Sequence, residues 1–225
     1  MAERDAYLWF DTAHFASPGI RCYDGGWVEE TREVAGVRVS VMTDDDALRE
    51  RLLAAVRPVV DDTDCPAWHR ILDGIAARPD PGRFGLAGIG SVESVTVCRY
   101  ALGRLGKVMN NPVMSLSTIT GGEATRLVRA ICAAPQGSGP DIPGCPWPED
   151  VYGMEAIVLT VRDGEHAQEV FVRYSGYEGH GFDDGHTRRW LTTEALLALL
   201  KGPHWPIHDL HGPVSKMVWS DPARA

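Results

Sequence analysis

Glu155-Ala-Ile-Val-Leu-Thr-Val-Arg-Asp-Gly-Glu-His-Ala-Gln-Glu-Val-Phe-Val-Arg-Tyr174 decides the fold. Two runs rich in Val, Ile, Leu and Phe flank Asp163-Gly164. Such residues suit the pleated surface of a strand, and Asp-Gly supplies the positive φ of a tight turn. The stretch predicts a hairpin, Glu155–Arg162 paired with Glu169–Tyr174. A short strand at 187–191 and the helix Thr193–Lys201 follow.

The same order is expected upstream. Val92–Tyr100 reads as a strand with Val95 and Val97 on one face. A turn near Gly103 leads to a partner strand at 104–109. A helix follows at 122–133, opened by the capping box Thr120-Gly-Gly-Glu123 and turning Leu127, Val128 and Ile131 inward. A helix after a hairpin, twice, predicts an α+β fold: antiparallel sheet with helices on one face and two hairpin-plus-helix units in the C-terminal part.

The N-terminal part carries its own pattern. Val37, Val39 and Val41 alternate along a half-buried strand, Val37–Thr43. Thr43-Asp-Asp-Asp46 offers a helix cap with acids in the first turn, and Leu48, Leu52, Leu53 and Val56 follow before Pro58. Residues 66–77 read as a short second helix, and 1–35 as irregular or short-strand structure. The Pro- and Gly-rich run 78–91 is the candidate boundary. The expected division is an N-terminal α+β part at 1–82, a C-terminal part at 90–203 and a strap at 204–225; one fused domain is the alternative.

Composition narrows the function. Of 225 residues, 31 are Asp or Glu and 22 Lys or Arg, a formal net charge of −9. Nucleic-acid binding runs on a cationic surplus, so nucleic acid is excluded as partner, and an anionic membrane surface is disfavoured. No window approaches the roughly 18 apolar residues of a membrane span. No signal-peptide pattern opens the chain, so it reads as cytoplasmic. A chain stripped of its leader would read the same and would be exported. Five cysteines leave at least one unpaired. Cys98 and Cys132 fall in strand and helix patterns as small core hydrophobes. Cys65-Pro66 and Cys145-Pro146 fall in loops, where an oxidising compartment permits a disulfide.

Val95-Thr-Val-Cys-Arg-Tyr100, the helix end Ala133-Ala-Pro135, Gly139-Pro140, Cys145, Arg173-Tyr-Ser-Gly176 and His180-Gly-Phe-Asp-Asp-Gly185 form a pattern. It resembles an uncharacterised actinobacterial family, often exported or membrane-anchored, over residues 37–202. The resemblance implies no activity. Tyr177 stands where many of its relatives carry a cysteine, so no disulfide ends there.

Reactive residues gather near the C-terminus. His180-Gly-Phe-Asp-Asp-Gly-His186 places His180, Asp183, Asp184 and His186 in one loop. Imidazole and carboxylate are ligands for zinc or another divalent ion. The same residues also suit a plain turn or a binding loop without metal. His204-Trp-Pro-Ile-His208-Asp-Leu-His211 adds further candidate ligands, His208 and His211. Pro203 and Pro206 argue instead for an apolar strap packing Trp205, Ile207, Leu210, Val214 and Trp219. Gly85-Leu-Ala-Gly88-Ile-Gly90 precedes a strand and no helix, so it reads as a linker rather than a nucleotide loop. No G-x-S-x-G, H-E-x-x-H or P-loop occurs. Trp147, in the loop of Pro135, Pro140, Pro143, Pro146 and Pro148, and Trp205 are the candidate contact residues.

Three functions follow as expectations. The first is a non-catalytic protein-binding module without cofactor, of immunity or inhibitor type, in which an acidic body steers toward a basic protein. The second is a small metal-dependent enzyme using the C-terminal histidines. The third is a small-ligand or envelope-associated binding domain.

Overall fold

The structure is a computed structural model that describes residues 6–11, 17–34, 37–56, 65–82, 85–103, 112–144, 151–164, 166–206 and 210–219. Trp147, His208, Cys145 and the strand expected at 104–109 lie outside them. The chain divides into two compact units, Met1–Asp62 and Thr63–Ala225. The boundary expected at 78–91 falls inside the second unit.

The first unit is an antiparallel sheet with one helix. Strands β1 (Tyr7–Asp11), β2 (Gly19–Cys22), β3 (Val28–Val34) and β4 (Val37–Thr43) lie in the order β1-β4-β3-β2. Helix α1 (Asp46–Ala55) packs Leu53 on Val39 and Val41. The Asp45 carboxylate accepts the Leu48 N–H at 2.9 Å, so the acidic run is a helix cap. Strand β3 breaks the expected alternation because Glu30 is buried. Its carboxylate meets Arg32 at 2.6 Å and Arg49 at 3.3 Å. A paired charge on a buried face hides the apolar period.

The second unit carries the predicted α+β fold. Strands β5 (Ser94–Ala101) and β6 (Val113–Thr120) form one hairpin, followed by helix α2 (Gly121–Ala133). Strands β7 (Glu155–Asp163) and β8 (His166–Arg173) form the other. Short strands β9 (Gly181–Asp183) and β10 (Arg188–Arg189) precede helix α3 (Thr193–Leu199), and α4 (Gly212–Trp219) comes last. The order β10-β9-β8-β7-β5-β6 sets the hairpins side by side through β5 and β7.

Alternation sorts the strand residues onto two faces. Val95, Val97, Ile157, Leu159, Val170 and Val172 pack against Leu127, Ile131, Leu196, Leu199 and Val214 of the helices. Cys98, Tyr100, Ala156, Val158 and Phe171 face the other way, and there Cys65, Ile71 and Leu72 cover them. The sheet is therefore buried on both faces, by helices on one and by residues 65–82 on the other.

Three local expectations need correction. The partner strand of β5 is Val113–Thr120, not 104–109. It escaped notice because Ser115 and Ser117 occupy its helix-facing positions. Residues 66–77 form no α-helix. Only Arg70–Asp73 winds into a single 3-10 turn, which the His69 ring opens by accepting the Ile71 N–H. Gly74, at φ +121°, ends it. The Thr120 hydroxyl makes no capping hydrogen bond, so the capping box before α2 does not form.

Cys98 is no free core thiol. It is joined to Cys65, with the Cα atoms 5.7 Å apart and a sequence separation of 33. Closing a loop of that length removes about 3–4 kcal/mol of unfolded-state entropy. Chemical denaturation of the Cys65→Ser variant is expected to show a stability loss of that size, reproduced in the wild type by reductant. Equal midpoints with and without reductant would contradict it.

Candidate functional site

The loop His180–His186 grows out of β9, where the sequence concentrates polar side chains. His180 is buried, at 1% exposure. Its Nδ1 lies 2.7 Å from Pro140 O and its Nε2 2.8 Å from Gly176 O. Carbonyl oxygens only accept, so a protonated ring nitrogen donates to the carbonyl beside it, and each of the two nitrogens is faced by a backbone carbonyl. Its backbone N–H donates to Asp141 Oδ1 at 3.0 Å. The ring thus staples 140–141 to 176–180.

Asp183 accepts a bidentate pair from Arg78, Nε to Oδ2 at 2.8 Å and Nη2 to Oδ1 at 2.7 Å. Arg188 Nε and the Gly185 N–H donate to the same carboxylate. Burial alone would raise the Asp183 pKa. The Arg78 hydrogen bonds, the Gly185 N–H and Arg188 outweigh burial and hold it below the usual carboxylate range.

Asp184 is buried and accepts from the Leu86, His186 and Thr187 N–H groups, at 2.8, 3.0 and 2.6 Å. His186 Nε2 lies 2.6 Å from Gly82 O. Gly85 sits against both: a Cβ there would meet Asp184 Oδ2 at 3.0 Å and the His186 ring at 3.1 Å. The structure therefore brings Asp184 and His186 together beside Gly82, Gly85 and Leu86. His180 and Asp183 instead line one small cavity with Arg173 and Arg188. Among the described residues, no three His, Cys, Asp or Glu side chains gather so as to hold a metal ion.

Of the second histidine cluster, the described members His204 and His211 have separate partners. Trp205 is half-buried and meets Trp219 edge to face at 4.7 Å. His211 stacks on Tyr177 at 4.1 Å. His204 is buried at the end of a 3-10 turn, Gly202–His204. Its Nδ1 meets Ser115 Oγ at 2.7 Å and its Nε2 meets Ser117 Oγ at 2.6 Å. Nearby, Arg99 donates to Trp205 O at 2.5 Å and lies 3.8 Å from Glu155, which accepts from the Tyr174 hydroxyl at 3.1 Å. Burial, and then the charge of Arg99, push the His204 pKa down to about 4.

The Pro-rich loop is tied down where it is described. Gly137 N–H donates to Arg188 O, Gly139 N–H to His180 O and Ile142 N–H to Tyr177 O. The Trp190 ring lies against Gly137 and Gly139, where a Cβ would meet it at 3.1 Å.

The first unit presents a different surface. Register sets Tyr7, Met42 and Glu29 in one row across the sheet and Trp9, Ser40 and Thr31 in another, on the face turned from α1. The Tyr7 and Tyr23 hydroxyls donate to the two oxygens of Glu29, at 3.1 and 2.6 Å. Trp9 is 59% exposed, Tyr7 41% and Tyr23 39%. Beside Trp9, Thr31 and Ser40 are small and bonded to each other at 2.7 Å. Neither this surface nor Arg78 and Arg188 stands out in the sequence, and Arg173 does so only within the pattern Arg173-Tyr-Ser-Gly176. The period-two spacing of Tyr7 and Trp9 was the available signal.

Comparison with protein-family models, curated proteins and solved structures finds no match.

The His204 geometry fixes an acid response. The folded-state value of about 4 lies below the ordinary 6.5, so the unfolded chain binds the proton more tightly. Stability is full above pH 6.5, falls as pH drops towards 4, and then levels. The total is roughly 3 kcal/mol at 1.36 kcal/mol per unit. Denaturation midpoints measured across that range should show the slope in wild type and its flattening in His204→Gln. Parallel curves for the two proteins would refute the assignment.

Proposed function

We propose that this chain is a non-catalytic protein-binding module that meets a basic partner through the exposed aromatic residues of the first unit's sheet. The observation that carries the reading is the exposed set Tyr7, Trp9 and Tyr23 around Glu29. Trp and Tyr are the side chains that dominate interface energetics. Large apolar surface left in water is unfavourable and marks a docking site. Glu29 is held in place by the two tyrosines and keeps acceptor capacity for a Lys or Arg of the partner.

The acidic balance of the chain, −9, supports a basic partner, because opposite charge speeds encounter and selects against acidic competitors. The positions of His180, Asp184 and His186 support a scaffold role for the C-terminal loop, since their polar atoms are engaged by backbone groups. The Cys65–Cys98 disulfide supports an oxidising compartment, in place of the cytoplasm expected from the sequence.

The test is quantitative affinity capture from the source organism with wild type, Trp9→Ala and Glu29→Gln. A basic protein should be held by wild type and released by salt. Its affinity should fall by roughly 2 kcal/mol, about thirtyfold in Kd, with Trp9→Ala. Glu29→Gln should blunt the salt dependence. Capture of the same proteins at the same strength by all three forms would overturn the proposal.

A further inference from the structure

Arg173 is in an unusual state. It is only 8% exposed, and its Nη2 donates to Gly74 O at 3.0 Å and Ala77 O at 3.3 Å. Among the described residues nothing accepts from its Nε or Nη1. These two donors are not sealed among protein atoms, so they open onto a place that water or a ligand can fill.

That place exists. Arg173 lines a cavity of about 40 Å³ with Ser138, His180, Asp183 and Arg188. A single water needs roughly 10–15 Å³ measured this way, so the space takes about three waters or one small head group. The charge around it is positive in a chain that is negative overall. Arg173 and Arg188 line it with Asp183, Arg78 binds Asp183 from outside the lining, and Asp141 lies beside the lining residue His180, so three guanidinium groups stand against two carboxylates. The Asp141 carboxylate accepts the Gly179 and His180 N–H groups at 3.2 and 3.0 Å and lies 3.1 Å from His180 Nδ1, which offsets part of that positive charge. Arg188 is half exposed and closes on the outer side, giving a route from solvent. The floor is fixed, because Gly74 O and Ala77 O hold the buried guanidinium in one orientation.

We propose that this cavity binds a small oxyanion, a carboxylate or a phosphate, between Arg173 and Arg188. The buried guanidinium supplies directed N–H donors and the exposed one supplies attraction at the mouth. Size limits the ligand to one head group, so any larger remainder of the molecule projects past Arg188. The site is independent of the aromatic face of the first unit and stands whether or not that face binds protein.

Nitrogen-15 spectroscopy of the arginine side chains reads it directly. Sodium phosphate and sodium acetate are titrated separately at constant ionic strength, with chloride as the reference anion. The Arg173 Nε–H resonance should shift and saturate with at least one of the two. Preference for phosphate identifies an inorganic or ester phosphate, and preference for acetate an organic carboxylate. Arg188→Gln, at a half-exposed position, should weaken that binding about tenfold while leaving the backbone amide spectrum in place. Arg173→Lys should abolish it. A shift that tracks every salt alike without saturating, or an Arg188→Gln affinity equal to wild type, would overturn the proposal.

Discussion

A sheet buried on both faces must be roofed twice, and the second unit depends on that requirement. Every residue of β5 from Val95 to Ala101 is buried. The helices that follow each hairpin roof one face. Among the described residues no helix covers the other, and the irregular run 65–82 serves there. An irregular segment has no internal ladder to hold it in shape, and it must be pinned from outside. The pins are visible one after another. Cys65 is bonded to Cys98, His69 meets Glu169 at 3.0 Å between Tyr100 and Phe171, and Arg173 holds the carbonyls of Gly74 and Ala77. Arg78 grips Asp183, and the Gln168 side chain accepts from Gly82 and donates to Asp80 O and Asp184 O.

Seen from that requirement, the polar loop after β9 has a structural employment. Asp184 and His186 are the far ends of pins that reach Leu86 and Gly82. His180 does the same for the Pro-rich loop. Acids and imidazoles close together in sequence suggest metal chemistry because ligands are made of the same atoms as turn anchors. Only the direction of each side chain separates the two, and direction is set by partners a hundred residues away, such as Arg78.

What the sequence disclosed follows the reach of its signals. The hairpin at Asp163-Gly164 and the repeat of hairpin and helix were legible because they rest on period and turn chemistry within a few residues. Strand β3 was not, since its buried Glu30 is affordable only beside Arg49. Strand β6 was not, because its serines face a histidine from the far end of the chain. The disulfide was half legible: Cys65 stood out in its loop, whereas Cys98 looked like any small apolar residue of a strand. Arg173 illustrates the general limit. In sequence it is one strand residue among many, and its donors matter only once the cavity beside them is known.

The sheet order has a bearing on solubility. A long bare margin of sheet is an invitation to other chains. On one flank of the six-stranded sheet the last strand, β10, is two residues long, and Gln136 bridges to it at Arg189. On the opposite flank β6 pairs with β5 through a bulge at Arg99/Tyr100, and the 3-10 turn Gly202–His204 packs against it. Both margins are thereby blunted, so fibril-like stacking of the larger unit is opposed by its own topology.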